Sequence, residues 1–218
     1  MNAQGKRSGE TAREYAYRMI REQVISLELK PGEAFNDMEF AAKIGVSRTP
    51  VREAVIQLSE EIFPQRGMRI APIDVELVEE ARSLRVLLEK QIAGMCCEMA
   101  TEEDIKWLQE NVGLQEFYME NSRPEMVMQL DDEMHHKLFM ICHRELTYGM
   151  CQKLAIHYDR IRSLSVNTVK DNTIIEDHRK IIQFIAEHKK ENAMAQMEKH
   201  LSRWQLNEGK FRQEFPDY

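Results

Sequence analysis

From Asp74 onward the only apolar periodicity in this chain is that of the α-helix, and no stretch alternates as a strand would. The spacing predicts six helices, over about 74–100, 102–121, 124–143, 146–167, 171–188 and 190–213. Pro124, Gly149 and the polar run Lys170-Asp171-Asn172-Thr173 punctuate them. With only 9 Gly and 6 Pro in 218 residues, the composition favours helices over a turn-rich β sandwich or barrel. The expected fold class is mostly α, with an antiparallel all-helical bundle over 74–218.

Residues 11–73 read differently. A helix through about 11–27 carries Ala16, Met19, Ile20, Val24 and Leu27 at helical spacing, after a flexible tail over 1–10. Pro31-Gly32 makes a turn, Asn36 caps a second helix with Glu39 as its capping-box partner, and Gly45 suits the left-handed position after it. Ser47 or Thr49 caps a third helix, and Pro50 falls in its first turn, where a missing N–H costs little. Ile62-Phe63 and Met68–Ile70 are the only strand-like pieces nearby, joined through Arg66-Gly67.

Charge follows the same division. The net charge is −7, which excludes a globally basic nucleic-acid coat, but residues 1–73 carry +1 and the remainder −8. No apolar run approaches the roughly 20 residues that cross a bilayer, and the first residues lack the apolar core of a secretory signal. Cys96, Cys97, Cys142 and Cys151 include no Cys-x-x-Cys pair, which favours reduced, buried thiols in a cytoplasmic protein.

Two short helices joined through Ile44-Gly45-Val46-Ser47 have the length of a helix-turn-helix. Arg48 and Arg52, four residues apart, leave one face of the second helix, opposite Val51, Val55 and Leu58. An arginine fork matches guanine O6 and N7 in the major groove, while Ser47 and Thr49 suit phosphate oxygens. From spacing alone, an exposed helix with two solvated arginines fits as well. Leu29-Lys30-Pro31-Gly32, Glu39-Phe40-Ala41 and Gly45-Val46-Ser47-Arg48-Thr49-Pro50-Val51-Arg52-Glu53-Ala54, in that order, resemble the winged helix-turn-helix of GntR-type bacterial transcription regulators. The resemblance implies that Arg48 and Arg52 read bases, that Thr49 contacts the backbone, and that Arg66-Gly67 tips a wing near the minor groove. The stretch between Leu58 and Arg66 is shorter than the family pattern, which implies a shortened or distorted wing.

In the second part, polar residues interrupt apolar stripes at a few places. Asp131 and His135 share the inward face of the 124–143 helix, His178 shares a stripe with Ile174, Ile175, Ile181, Ile182 and Ile185, and His200 sits with Met197, Leu201 and Trp204. Burying a carboxylate and three imidazoles is costly unless they are paired or hold a cation, and this donor set suits Zn²⁺, Ni²⁺ or a similar divalent ion. Taken singly, each histidine is more often a satisfied core residue than a ligand, and it is the four together that point to an ion. No further inward carboxylate stands out as a general base for a metal-dependent enzyme, the competing reading. A pure metal sensor, or a metal that only staples the bundle, is also compatible with the four residues.

The segments Asp131-x-x-Met134-His135-x-x-Leu138, Asp177-His178-x-x-Ile181 and Met197-x-x-His200-Leu201 resemble the signature segments of the FCD domain in the FadR branch of the GntR family. That resemblance implies that Asp131, His135, His178 and His200 ligate a metal, and six helices match the shorter VanR-like version. It also implies that a small carboxylate effector pairs with Arg85, and with Arg162 if that residue faces the pocket; for Arg85 a salt bridge to Glu89 competes. His136, His143, His157 and His188 fall outside the segments. The function expected is a repressor that binds a pseudo-palindromic DNA operator as a homodimer under control of a small organic acid.

Overall fold

The computed structural model describes residues 5–58, 68–168 and 173–203. They fall into two compact units, one ending at Asp74 and the other starting at Val75. Among the described residues no helix is long and apolar enough to cross a membrane.

The N-terminal unit holds α1 (Ala12–Ile25), α2 (Asp37–Ile44) and α3 (Arg48–Gln57). Thr11 and Glu14 close a reciprocal capping box at the start of α1, a device contributing about 1 kcal/mol. Asn36 Oδ1 accepts from the Met38 and Glu39 N–H groups at 3.0 and 3.3 Å. Gly45 ends α2 at φ 74°, a conformation other residue types adopt only under strain. Ser47 occupies the cap position of α3, but its hydroxyl makes no cap bond. Ala16, Ile20 and Val24 of α1, Phe40 and Ala41 of α2, and Val51, Ala54 and Leu58 around α3 are buried together as the core. Each large aliphatic side chain so buried contributes roughly 1.5–3 kcal/mol.

The strand-like piece Met68–Ile70 pairs with the turn that precedes α2. Ile70 N–H donates to Glu33 O at 2.9 Å, Phe35 N–H to Met68 O at 2.7 Å, and Ala34 bridges Arg69 in antiparallel sense. Ile62-Phe63 and the Arg66-Gly67 tip lie outside the described residues.

The second unit contains α4 (Val75–Met99), α5 (Glu102–Glu120), α6 (Pro124–Ile141), α7 (Glu145–Leu154), α8 (Ile156–Thr168), α9 (Thr173–Ala186) and α10 (Lys190–Leu201). That is seven described helices, not six. The single helix expected over 146–167 is broken at Ala155, whose φ −85° and ψ −1° lie outside regular helix, while Gly149 stays inside α7. The two halves have incompatible surroundings. Cys151 is the one buried residue of α7, with Leu146, Met150 and Leu154 exposed, whereas α8 buries Ile156, Tyr158, Asp159, Arg160, Ile161 and Leu164 almost all round. One straight helix cannot meet both demands, so the count implied by the shorter family version does not hold.

The core of this unit joins Ile92, Ala93 and Cys96 of α4, Leu108 and Val112 of α5, Met134, Leu138 and Phe139 of α6, Ile175, Ile181, Ile182 and Ile185 of α9, and Met197 and Leu201 of α10. Gly94 lets α10 approach α4: a Cβ there would meet Met194 Sδ at 2.9 Å. All four cysteines are reduced and buried, with Cys96 Sγ and Cys142 Sγ 3.5 Å apart. This packing fixes α4, α5, α6, α9 and α10 around one polar centre.

Candidate metal centre and DNA-reading face

On α6, Asp131 and His135 stand one turn apart, and α9 and α10 bring His178 and His200 against them. One donor atom from each of the four residues lies within 4.8 Å of all the others. His178 Nε2 and His135 Nε2 are each 3.3 Å from His200 Nε2, and Asp131 Oδ1 is 3.3 Å from His178 Nε2. Asp131 Oδ2 lies 3.9 Å from His135 Nε2. Four donors bound to one ion through bonds of about 2.0–2.1 Å stand about 3.0–3.4 Å apart, so the three 3.3 Å spacings match edges of a coordination shell and the 3.9 Å one is wider.

The groups behind the imidazoles determine which nitrogen faces inward. Leu130 O accepts from Asn111 Nδ2 at 3.1 Å, Asn111 Oδ1 accepts from Gln115 Nε2 at 2.7 Å, and Gln115 Oε1 lies 2.9 Å from His178 Nδ1. That relay orients both amides, makes His178 Nδ1 the donor, and leaves the Nε2 lone pair free. His135 Nδ1 pairs with the Glu89 carboxylate, which Arg85 also holds. His200 Nδ1 is buried without a hydrogen-bond partner, 3.9 Å from Asp177 Oδ2. Asp177 in turn accepts from Gln196 at 2.7 Å and pairs with Arg203.

Charge in the site is arranged to suit a cation. Burial holds His178 down at about 4 against the pull of Asp131, and burial with the neighbouring His178 and His135 holds His200 well below its usual value. Burial pushes the Asp131 carboxyl up, but Arg162 and the three histidines outweigh it and hold the group well below the usual carboxylate range. For Glu89 the same contest is won by Arg85 and then His135. His178 and His200 therefore stay uncharged at neutral pH, with their Nε2 atoms turned toward each other beside an ionised carboxylate. Without a cation that convergence is repulsive; with one it is a complete donor set, and the residues present fit a divalent ion.

A consequence concerns pH. The folded His178 resists a proton that the unfolded chain accepts near pH 6.5. Its contribution is thus present above about pH 6.5 and is lost as pH falls toward 4, a change on the order of 3 kcal/mol. Thermal melts in chelator across this range are expected to show stability dropping with acidity, and a flat profile would contradict the assignment.

The two arginines read as effector contacts are buried, and both already hold carboxylates. Arg85 bonds Glu89 and lies over the Tyr158 ring at 5.2 Å. Arg162 bridges Asp131, Asp132 and Asp159, the last two at 2.9 and 2.8 Å. Glu89 and Asp177 are buried inward carboxylates that sequence reasoning missed. Glu89 reads on paper as the surface partner of Arg85 four residues away, and only its place on the stripe with Ile92 and Ala93 marks it as internal. The remaining histidines stay outside the centre: His136 stacks on Tyr148, and His188 Nδ1 meets Cys97 O at 2.6 Å.

In the N-terminal unit the structure puts Arg48 and Arg52 on one half-exposed face at the start of α3, with Ser47 and Thr49 beside them. Arg66 and Gly67 lie outside the described residues. Both arginines meet one buried residue, Asp37, which sequence reasoning also missed. Arg48 Nε donates to Asp37 Oδ2 at 2.8 Å, and Arg52 Nε reaches the same oxygen at 3.1 Å.

Residues 12–69 match the bacterial regulatory proteins of the gntR family, and residues 80–203 match the FCD domain. The chain belongs to the GntR family. An HTH-type transcriptional repressor of Escherichia coli, RspR, is 27% identical to this regulator over 207 residues, spanning 93% of this chain and 91% of its own. An HTH-type transcriptional regulator in an unstable DNA locus of Streptomyces ambofaciens is 30% identical over 203 residues, 89% and 84% of the two chains. The solved structure of E. coli McbR/YncC shares the fold with a TM-score of 0.79 at 17% identity, covering 94% of this chain and 99% of that one. This GntR-family protein is a transcriptional regulator with an FCD domain, and not an enzyme. Regulators of the family bind DNA operators.

Proposed function

We propose that this regulator is a homodimeric repressor whose hold on a pseudo-palindromic operator is set by a small carboxylate at a metal centre. The observation carrying the reading is the convergence of three imidazole Nε2 atoms and the Asp131 carboxylate at a buried centre flanked by two arginines. Asp131, His135, His178 and His200 hold the ion, and a nitrogen-rich set with one oxygen favours zinc or nickel over magnesium or calcium. When bound, the ion supplies open positions at which a carboxylate oxygen is held. Gln115 and Glu89 keep His178 and His135 aimed inward, and Arg162 and Arg85 supply positive charge for the acid's second oxygen. Arg48 and Arg52 read bases, Ser47 and Thr49 meet phosphates, and Arg66-Gly67 forms the wing tip.

The repressor assignment is supported by RspR, named a transcriptional repressor. The homodimer is supported by α7, where Leu146, Met150 and Leu154 form one apolar stripe at helical spacing with exposures of 88, 68 and 58%. A two-fold pair covers such a stripe with its own copy.

The test is fluorescence anisotropy on a duplex that the full-length protein selects from a random library, at stated salt, beside its scrambled sequence. The selected duplex is expected to bind about a thousandfold more tightly than the scrambled one. With zinc loaded, one member of a panel of mono-, di- and tricarboxylates is expected to weaken operator binding at least about tenfold, a coupling within the usual allosteric range. Light scattering of the same sample is expected to give the mass of two chains. Equal operator affinity with and without zinc, unmoved by any acid, would overturn the metal–effector half of the reading.

A further inference from the structure

Arg48 and Arg52 come from α3, but the atom that both of them meet belongs to α2. Asp37 is the first residue of that helix, next to the Asn36 cap, and its side chain is 3% exposed, against 50 and 59% for the two arginines. A single oxygen, Oδ2, receives Nε of Arg48 and lies 3.1 Å from Nε of Arg52. A guanidinium has two edges able to form a pair of parallel bonds, one through Nε and one through Nη1 and Nη2. Held at Nε, each side chain keeps the Nη1/Nη2 edge for an outside acceptor pair. Guanine O6 and N7 form such a pair.

We propose that Asp37 is the positioning residue for base reading: one buried carboxylate fixes two guanidinium groups at their Nε ends and leaves both outer forks presented to the major groove. The inference rests on the assignment of Arg48 and Arg52 to base contacts. It adds that their geometry is set before DNA arrives, by a residue that touches no DNA. Without that anchor, each long side chain has its rotamers ordered only on binding, at a cost to the specific complex. Nonspecific binding has no such requirement, because phosphate attraction tolerates any rotamer. The two modes therefore respond differently to loss of Asp37, and losing a negative charge near the backbone favours the nonspecific one.

The experiment compares wild type, Asp37→Asn, Asp37→Glu and Arg48→Ala on the wild-type-selected duplex and its scrambled control across several salt concentrations. Asp37→Asn is expected to reduce the specific-to-nonspecific ratio at least about tenfold, with nonspecific affinity unchanged or slightly higher and the salt slope unaltered. Asp37→Glu, which keeps a carboxylate, is expected to recover part of the ratio. Replacing a contacted guanine by 7-deazaguanine, which lacks N7, is expected to weaken wild type clearly and Asp37→Asn much less. A variant that merely misfolded would lose both binding modes and its circular-dichroism helix signal, which Asp37→Glu would not restore. A ratio within twofold of wild type in Asp37→Asn overturns the proposal, as does a gain in specific affinity, which would make Asp37 a competitor for the arginines. If Arg48→Ala also leaves the ratio unchanged, the assignment of base reading to α3 fails, and the positioning role fails with it.

Discussion

Zinc added to the metal-stripped protein is expected to raise its melting temperature by roughly 5–10 °C. At a hundredfold excess over Kd, binding to the folded state alone contributes about 2.7 kcal/mol, and each kcal/mol moves a domain of this size about 2–4 °C. His178→Ala is expected to remove that response and the bound zinc measured by mass spectrometry, because His178 is fully buried and its Nε2 lies within 3.3 Å of two of the other donors. The empty space left in the core lowers the basal stability as well, so Asp131→Asn, nearly isosteric, separates ligation from packing. Gln115→Ala is expected to be milder, costing about 10–100-fold in metal affinity through a looser His178 ring. Stoichiometric zinc in His178→Ala would mean that the four donors do not form the centre.

The second large effect concerns DNA. Arg52→Ala is expected to weaken binding to the selected duplex by about 1–3 kcal/mol, or 5–150-fold, while changing the scrambled duplex little. Arg48→Ala is expected to behave similarly, but the double variant is expected not to equal the sum. Each single replacement leaves Asp37 one cationic partner, whereas the double leaves a buried carboxylate with neither arginine, which costs stability as well as contacts. The single variants are therefore the clean measurement. Equal losses on both duplexes would show that these arginines contact phosphates instead of bases.

The helix-turn-helix was legible because local chemistry decides it: Asn36, Gly45 and Pro50 each act within a turn of their own position. The four donor residues were legible because a polar side chain inside an apolar stripe is conspicuous at any distance. What surrounds them was less visible. Glu89 looks like half of an ordinary i,i+4 surface pair, and Asp37 like a first-turn acid favoured by the helix dipole. Their roles come from helices distant in sequence, which no local spacing encodes. The break at Ala155 has the same origin. No glycine, proline or cap marks it, and it falls where an exposed helix gives way to residues 156–164, which are buried on nearly every side.

The proposed ligands also lie far apart along the chain: 22 residues separate His178 from His200, and 65 separate His135 from His200. An ion held by all of them is a cross-link between α6, α9 and α10, and its loss frees three segments at once. Those segments then open more often, and opening is what a protease samples. If the proposed ion is held there, its supply is expected to set the lifetime of the protein, with the metal-free form degraded faster.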